Sequence, residues 1–314
     1  MAIYKPVLLS LNTQPVSAIV TSHGIQHHKY ADDITLYVSY NPSSTADVSR
    51  AKLQMEQCVD SISGWMGANC LKLNASKTEL LNAMSPHHLR TYGQQALSIC
   101  GTTIHPSSSV TCLGVVLDTH LTMSSQVTAI VKTCNFHLRN ISKIRNFITA
   151  DACKDAVCTM IQSRLDYCCS LLVGITQHDL HRLQRIQNSA ACLVTRTASI
   201  NHITPVLREL HWLPCHLRIE FRVLVFVYMC VNNCAPVYLR ELVRLHIPVR
   251  SLRSSHDCLR LDSHLLPQKR VGDKAFGMIA PRIWNQLPFE VRCAGSKEAF
   301  KRALKYYFFN RFYV

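Results

Sequence analysis

Gly24-Ile25-Gln26-His27-His28-Lys29-Tyr30-Ala31-Asp32-Asp33-Ile34-Thr35-Leu36-Tyr37-Val38-Ser39-Tyr40-Asn41-Pro42 decides the reading of this chain. Residues 25–30 and 34–40 are rich in aromatic and β-branched side chains, and Pro42 acts as a stop. In the second run Ile34, Leu36, Val38 and Tyr40 alternate with Thr35, Tyr37 and Ser39, the period-two pattern of a half-buried strand. The pair predicts a β-hairpin with two carboxylates at its tip. Adjacent acids are common in solvated turns. Here they stand between runs that read as buried, and residues 1–31 contain no Asp or Glu. Such a pair calls for a counter-charge, and a hard divalent cation, Mg²⁺ or Mn²⁺, suits its oxygen ligands. Nucleotidyl transfer uses two such ions about 3.5–4 Å apart.

Working outward, a helix is expected to end near Ser22, after an apolar opening of Val7, Leu8, Leu9 and Leu11. Downstream, Ser44-Thr45-Ala46-Asp47 offers cap chemistry for a helix carrying Val48, Ala51, Met55, Val59, Ile62 and Met66, ending near Gly67. Leu71-Lys72-Leu73-Asn74 reads as a short strand, and two β-like runs surround Gly101. After Asp118 the pattern becomes helical, over 120–147, 152–173, 178–195, 215–231 and 296–309, with Pro205 and Pro214 as punctuation. In 178–195, Leu180, Leu183, Ile186, Ala190, Leu193 and Val194 share one face. Residues 247–275 read as irregular and basic, and no internal repeat is evident. The class is α+β: hairpins with helix first, then a mostly α-helical region. We divide the chain at 1–120, 121–200 and 201–314.

The chain has 314 residues and a net charge of +15. Residues 1–150 hold 11 Lys+Arg against 7 Asp+Glu, and residues 151–314 hold 23 against 12, a surplus of +11. A surplus of that size favours polyanionic partners, because released counterions drive binding to phosphate backbones. The plainer reading is a basic solvated surface. Fifteen cysteines would suit disulfides in a secreted chain. The opening lacks the basic, apolar and small-residue succession of a signal peptide, so we expect free thiols and an intracellular, nuclear or cytoplasmic, setting. The apolar run at 221–231 carries Arg222 and is about half of the ~20 residues a membrane span needs.

Tyr30-Ala31-Asp32-Asp33 matches the YxDD motif of reverse transcriptases, and its flanks strengthen the match. Leu71-Lys72-Leu73-Asn74-Ala75-Ser76-Lys77-Thr78-Glu79 resembles the LxLNxxKTE segment of non-LTR retrotransposons. Leu113-Gly114-Val115-Val116-Leu117-Asp118 resembles their primer-grip hairpin. Further on, Arg164-Leu165-Asp166-Tyr167-Cys168, Leu183-Gln184-Arg185-Ile186-Gln187-Asn188-Ser189-Ala190-Ala191, His202-Ile203-Thr204-Pro205-Val206-Leu207 and Leu210-His211-Trp212-Leu213-Pro214 are similar to the thumb and C-terminal region of LINE elements of the CR1, L2 and jockey kind. Ala280-Pro281-Arg282-Ile283-Trp284-Asn285-Gln286-Leu287-Pro288 is similar to their tail. The likeness covers essentially the whole chain.

The resemblance implies an RNA-directed DNA polymerase, a partial palm followed by a helical thumb, acting on an RNA template, a DNA primer and dNTPs. It assigns metal binding and catalysis to Asp32 and Asp33, and to Lys77 a contact that assists pyrophosphate departure. Lys77 as a plain solvated lysine weighs about evenly against that. Tyr30 is expected to shape the hairpin and the sugar contact, with Leu113 and Gly114 at the primer grip. Arg182 and Arg185, with Arg196, Arg250, Arg253, Lys269 and Arg270, are candidates to track the nucleic-acid backbone. A charged helix face is the better reading for any one arginine, and nucleic-acid binding for the set.

The chain departs from the family pattern at its start. Lys5-Pro6-Val7-Leu8-Leu9 resembles sequence just after the family's Pro-Gln-Gly core, and the upstream aspartate motif, fingers and endonuclease are not in this sequence. Asp47 and Asp118 are other aspartates that follow in the chain, and the resemblance gives neither that role. The expectation is a polymerase part that binds Mg²⁺ or Mn²⁺ weakly and is inactive alone. The alternative is a non-catalytic nucleic-acid-binding protein. His27 and His28 fall on opposite faces of a strand, so with His23 they make a poor ion site. Trp65 reads as packing. Cys230, Cys234, His246 and Cys258 mimic a zinc set whose spacing fits no standard knuckle.

Overall fold

The computed structural model describes residues 13–93, 95–198, 200–246, 259–262 and 272–313. The apolar opening with Lys5-Pro6-Val7-Leu8-Leu9, and Arg250, Arg253, Cys258, Lys269 and Arg270, lie outside the described residues. The class is mixed α+β, about 60% helical, with three small antiparallel hairpins. Two compact units share the chain: Met1–Leu113 with Leu117–Leu121, and Gly114–Val116 with Thr122–Val314. Residues 122–314 thus belong to the second unit.

In the first unit, helix α1 (Gln14–Ser22) leads into β1 (Gln26–Tyr30) and β2 (Asp33–Tyr37). The long helix α2 (Thr45–Ala68) follows, then α3 (Pro86–Tyr92), β3 (Leu97–Ile99), β4 (Thr102–Ile104) and β5 (Ser109–Cys112); the residues of β6 (Val115–Asp118) are divided between the two units. The α2 start is the expected cap: Ser44 Oγ accepts the Asp47 N–H at 3.3 Å, satisfying one of the donors a helix leaves open. Its buried side chains are Ala51, Cys58, Val59 and Ile62. Cys58 and Ile62 close on Val16, Val20 and Ile25, with Ile34, Leu36 and Trp65 packed alongside. Val59 closes on Leu97, Ile99 and Ile104. Leu36 touches both clusters. Ala51, Cys58, Val59 and Ile62 recur at helical spacing, so α2 packs by one face, and each fully buried branched side chain there contributes roughly 1.5–3 kcal/mol.

Three expectations need correction in this unit. The second strand ends at Tyr37, and Val38, Ser39 and Tyr40 continue without strand pairing. Leu71–Asn74 is not a strand, although Leu73 does pack inward. The Asn74 side chain instead accepts from the Ser76 N–H at 3.2 Å and the Ser76 hydroxyl at 2.7 Å. Its carbonyl accepts from Lys77 N–H at 3.1 Å, so the segment closes into the 3₁₀ turn Ala75–Lys77. A side chain that bonds its own neighbouring backbone competes with a sheet ladder, and here it wins. Finally, the runs read as buried on either side of the acidic pair are half-exposed: each strand alternates exposed and half-buried residues along its length, in keeping with the period-two pattern of 34–40.

The second unit is helical: α4 (Ser124–Ile144), α5 (Ala150–Val157), α6 (Ser163–Asp166), α7 (Gln177–Thr195), α8 (Ile203–Glu209), α9 (Cys215–Val231), α10 (Val237–Arg240), α11 (Phe276–Trp284), α12 (Phe289–Arg292) and α13 (Lys297–Tyr313). The helix expected from 120 begins only after Met123, whose positive φ of 65° breaks the chain from the strand before it. Residues 152–173 are not one helix. A π-helical turn at Cys158–Gln162 joins α5 to α6, and Tyr167 turns extended before Cys168 enters the left-handed region. Pro205 sits inside the first turn of α8, where its missing N–H leaves no bond unmade. Cys234 lies beyond the end of α9, so it and buried Cys230 are not a helical pair. The core joins Val223, Leu224 and Val227 of α9 to Trp284, Phe300, Leu304 and Phe308. Tyr228 stacks on Phe300 with ring centroids 4.5 Å apart.

The downstream motifs are the joints of this unit. Asp166 receives the Arg218 guanidinium through both oxygens, at 3.0 and 2.6 Å, with Arg222 at 3.6 Å. Gln184 accepts from Cys215 N–H, and buried Gln187 donates to the Leu213 carbonyl, both at 2.9 Å. Asn285 clamps Leu261 through both its N–H and its carbonyl, and Trp284 Nε1 donates to Leu259. Among the described residues no helix is long and apolar enough to cross a membrane, and the described cysteines are all free thiols.

Candidate functional site

The strands β1 and β2 pair in the register Gln26↔Tyr37 through Tyr30↔Asp33, leaving Ala31 and Asp32 as a two-residue loop. Two-residue hairpin loops need a backbone whose twist matches the strands, supplied by positive φ. Ala31 takes that conformation at φ 54°. An L-residue with a Cβ pays roughly 1–2 kcal/mol there, and non-glycine strain of this kind gathers at functional sites. The other two hairpins turn on Cys100-Gly101 (φ 49° and 76°) and Leu113-Gly114 (φ 47° and 75°). Two successive positive values match a type I′ turn, where glycine is at ease. The acidic hairpin alone among the three lacks a glycine at its loop.

Asp32 and Asp33 are both exposed at this tip, and Tyr30 beside them is 68% exposed. Among the described residues neither carboxylate is ion-paired. Burial therefore does not force a counter-charge on the pair, because both carboxylates are open to solvent. What remains is an accessible acidic turn. Among the described residues no third His, Cys, Asp or Glu joins it. Two carboxylates fit part of a hard cation's shell of six or more oxygens, with water as the balance. They do not by themselves make a two-ion site.

The other predicted residues fall as follows. Lys77 is exposed at the end of its 3₁₀ turn, with no hydrogen bond or ion pair to either aspartate. Asp47 is committed to its own helix start, accepting from Asn41 N–H at 2.5 Å and from Arg50. Asp118 closes the third hairpin, its Oδ1 accepting from His120 N–H at 3.1 Å. His23 bonds Ser61, while His28 stacks on Tyr37 at 5.4 Å. His27 is half-buried and His28 exposed, as opposite faces require.

One contact was not legible in the sequence. Thr35 Oγ1 lies 3.8 Å from Cys112 Sγ, so β2 and β5 touch. The acidic hairpin therefore stands beside the hairpin that carries Leu113. Leu113 is 44% exposed. Alternation along β2 puts Thr35 on the exposed face with Asp33 and was the available signal; its partner 77 residues away was not readable. In the second unit, a Cβ on Gly114 would stand 3.8 Å from the Tyr167 ring, an ordinary contact.

Arg182 is not a free cation. It pairs with Asp179 at 3.0 Å and donates to Thr128 Oγ1, also at 3.0 Å. Arg196 donates to the Arg145 carbonyl at 3.2 Å. Arg185 is exposed on α7. Asp179 sits at the centre of a small polar network. Burial raises its pKa, but hydrogen bonds from Ser124, Arg182 and Thr176, with the Arg182 charge, outweigh that and hold its carboxyl below the usual range. No family model matches the chain, and neither a curated protein nor a solved structure proves similar to it.

Proposed function

We propose that this chain is a part of an RNA-directed DNA polymerase of the non-LTR retrotransposon kind, with the Tyr30-Ala31-Asp32-Asp33 hairpin as its acidic palm element. The observation that carries the reading is the pair of exposed carboxylates at the hairpin tip, Asp32 in the two-residue loop and Asp33 at the start of β2, with the Leu113 hairpin touching that strand. That arrangement offers Mg²⁺ or Mn²⁺ two hard oxygens beside a surface where a primer end would lie. Bound there, the ion would lower the cost of charge at a reacting phosphate. Asp32 and Asp33 would hold the ion, Tyr30 would face the sugar, and Lys77 would meet the pyrophosphate. RNA template, DNA primer and dNTP are the proposed partners, in an intracellular setting.

With only two carboxylates assembled among the described residues, the chain alone does not extend a primer. Purified chain is incubated with RNA–DNA primer–template, dNTPs and Mg²⁺ or Mn²⁺, alone and with a separately made polypeptide carrying the fingers and first palm aspartate of such an element. No extension is expected alone, and extension is expected in the mixture. The mixture made with Asp32→Asn/Asp33→Asn chain should stay silent. Extension by that double variant, or a mixture with no activity at any ratio, counts against the reading.

The +11 surplus of residues 151–314 favours a second reading, nucleic-acid binding without catalysis. Binding would then persist in the Asp32→Asn/Asp33→Asn chain and weaken steeply with salt.

A further inference from the structure

The two most exposed large apolar side chains among the described residues are Ile200, at 91%, and Phe147, at 87%. They stand far apart in sequence, yet one buried side chain ties their loops together. Arg145 opens the 3₁₀ turn Arg145–Phe147 that follows α4. Its guanidinium donates to the Leu193 and Val194 carbonyls, each at 2.8 Å, and to the Ile148 carbonyl at 3.1 Å. The first two lie in the last turn of α7, where carbonyls have no partner within the helix and the helix end is negative. In return Arg196, the residue after α7, donates to the Arg145 carbonyl at 3.2 Å. The chain then turns on the Asn201 N–H, which donates to the Ala198 carbonyl at 3.0 Å, and Ile200 stands in that turn. Ile144, the last residue of α4, is 49% exposed.

Scattered apolar side chains in water are ordinary. Here three stand on a helix end and two loops that a buried cation fixes in place, the pre-ordered setting of a binding anchor. The surroundings are cationic. Lys143 and Arg196 are exposed beside the patch, and neither is ion-paired among the described residues. Residues 119–150 hold no Asp or Glu, and neither do residues 180–208. The first acid beyond Phe147 is Asp151, on the opening turn of α5.

We propose that this end of the second unit docks an acidic amphipathic segment of a partner protein, with Ile144, Phe147 and Ile200 receiving its apolar side chains and Lys143 and Arg196 its carboxylates. Charge and side-chain type decide the occupant. In a two-fold contact with a second copy the same patch faces itself, which sets Lys143 and Arg196 against cations. A phosphodiester strand answers the cations, but its apolar surface is the flat face of a base, which suits a ring and not two isoleucines. A lipid surface is drawn by clusters of about four to eight cations and anchored by Trp or Tyr. Residues 143–149 and 196–202 contain neither of those rings. Aliphatic and aromatic anchors alternating with carboxylates are the chemistry of a peptide. The surface makes no use of the acidic hairpin, so it stands or falls separately from the polymerase reading.

The test selects short peptides from a random phage-displayed library on the immobilised full chain and measures the synthesised winners by fluorescence polarisation. Selected peptides should carry a surplus of Asp and Glu with at least two large apolar side chains. Phe147→Ser/Ile200→Ser should weaken them about tenfold or more, as loss of central anchors does. It should leave the thermal midpoint in place, because both side chains already stand in water. Lys143→Glu/Arg196→Glu should also weaken them, and the same peptides with Lys in place of Asp and Glu should then bind the reversed-charge chain better than the parent. That exchange separates charge from misfolding. Asp32→Asn/Asp33→Asn should bind like the parent chain. Parent-like binding by the Phe147/Ile200 double variant, winners without an acidic surplus, no rescue on charge exchange, or a library that yields no binder would overturn the assignment. Binding of phosphatidylserine vesicles or of poly(U) that the Phe147/Ile200 change abolishes, or a dimer in sedimentation that it abolishes, would give the patch to a membrane, a nucleic acid or a second copy instead.

Discussion

Gln187 donates its Nε2 hydrogen to the Leu213 carbonyl at 2.9 Å, and none of the Gln187 side chain reaches solvent. The same amide faces Gln184 through its oxygen and lies 3.6 Å from Cys215 Sγ. This network joins α7 to the turn before α9. Gln187→Leu removes the donor and leaves the Leu213 carbonyl buried without it, a loss of about 1–3 kcal/mol. Urea unfolding should show the midpoint falling with little change in slope. A midpoint unmoved by this substitution would falsify the assigned joint.

Asp166 and Arg218 form a two-pronged ion pair between α6 and α9. Both side chains are only partly buried, which moderates its worth. Asp166→Ala should cost about 1–2 kcal/mol, because the guanidinium loses both acceptors. Arg218→Lys should recover little of the contact in the parent chain, since a lysine cannot present the parallel fork. Thermal unfolding of the two variants, compared with Arg218→Ala, checks the ordering. Lysine performing as well as arginine would show that charge alone matters here.

Stability at low pH should depend on Asp179. Its pKa in the folded chain lies below the ordinary 3.8. A depressed folded pKa stabilises the fold above the unfolded value, and that contribution is lost as pH falls through the folded one. The acid limb of the stability curve should therefore be shallower below pH about 4 in Asp179→Asn than in the parent. Ser124→Ala, which removes the 2.6 Å hydrogen bond, should act in the same direction to a lesser degree. Parallel acid limbs for parent and variant would reject the role.

Thiol reactivity should sort by place in the fold. Burial pushes the Cys134 and Cys169 thiols up to about 11 and Cys215 to about 12. The thiolate is the reactive form, so these three should stay silent toward a disulfide reagent in native protein. Exposed Cys70, Cys100, Cys168, Cys234 and Cys293 should react first. Mass mapping of the modified peptides reads the order, and early labelling of Cys215 would show that α9 opens readily.

Much of the first unit could be read from residue pattern. Alternation in 34–40 located β2, and the Ser44 to Asp47 cap located the start of α2. What failed did so for local reasons. The apolar–polar alternation of Leu71 to Asn74 suits a strand, but strand formation needs a partner, and Asn74 spends its own side chain on a turn. Nothing in the sequence showed that Arg182 is paired with Asp179, three residues earlier and buried. The glutamines of the 183–191 segment read as family markers, and their hydrogen bonds show a packing duty that no spacing rule contains. Periodicity reports which face is apolar; it is silent on which polar group across the fold will claim a side chain.

Ala31 offers a direct test of the acidic turn. At φ 54° glycine would rest more easily, so Ala31→Gly should stabilise the hairpin by up to about 1 kcal/mol after its own entropy cost. Ala31→Val should destabilise it, because branching worsens the same clash. Hydrogen exchange at the β1–β2 amides reads both changes, and a less protected glycine variant would show that Ala31 is not strained.

The loop between Tyr30 and Asp33 admits two residues and no more. One extra residue anywhere in it must bulge outward or slide one strand along the other, and a single-step slide exchanges the two faces of that strand. Ile34 and Leu36 would turn toward water while their polar neighbours faced the α1–α2 interior. A length change too small to alter the chemistry of two carboxylates would thus disturb the packing of the unit, which makes this tetrapeptide a ruler for folding as well as the proposed place for an ion.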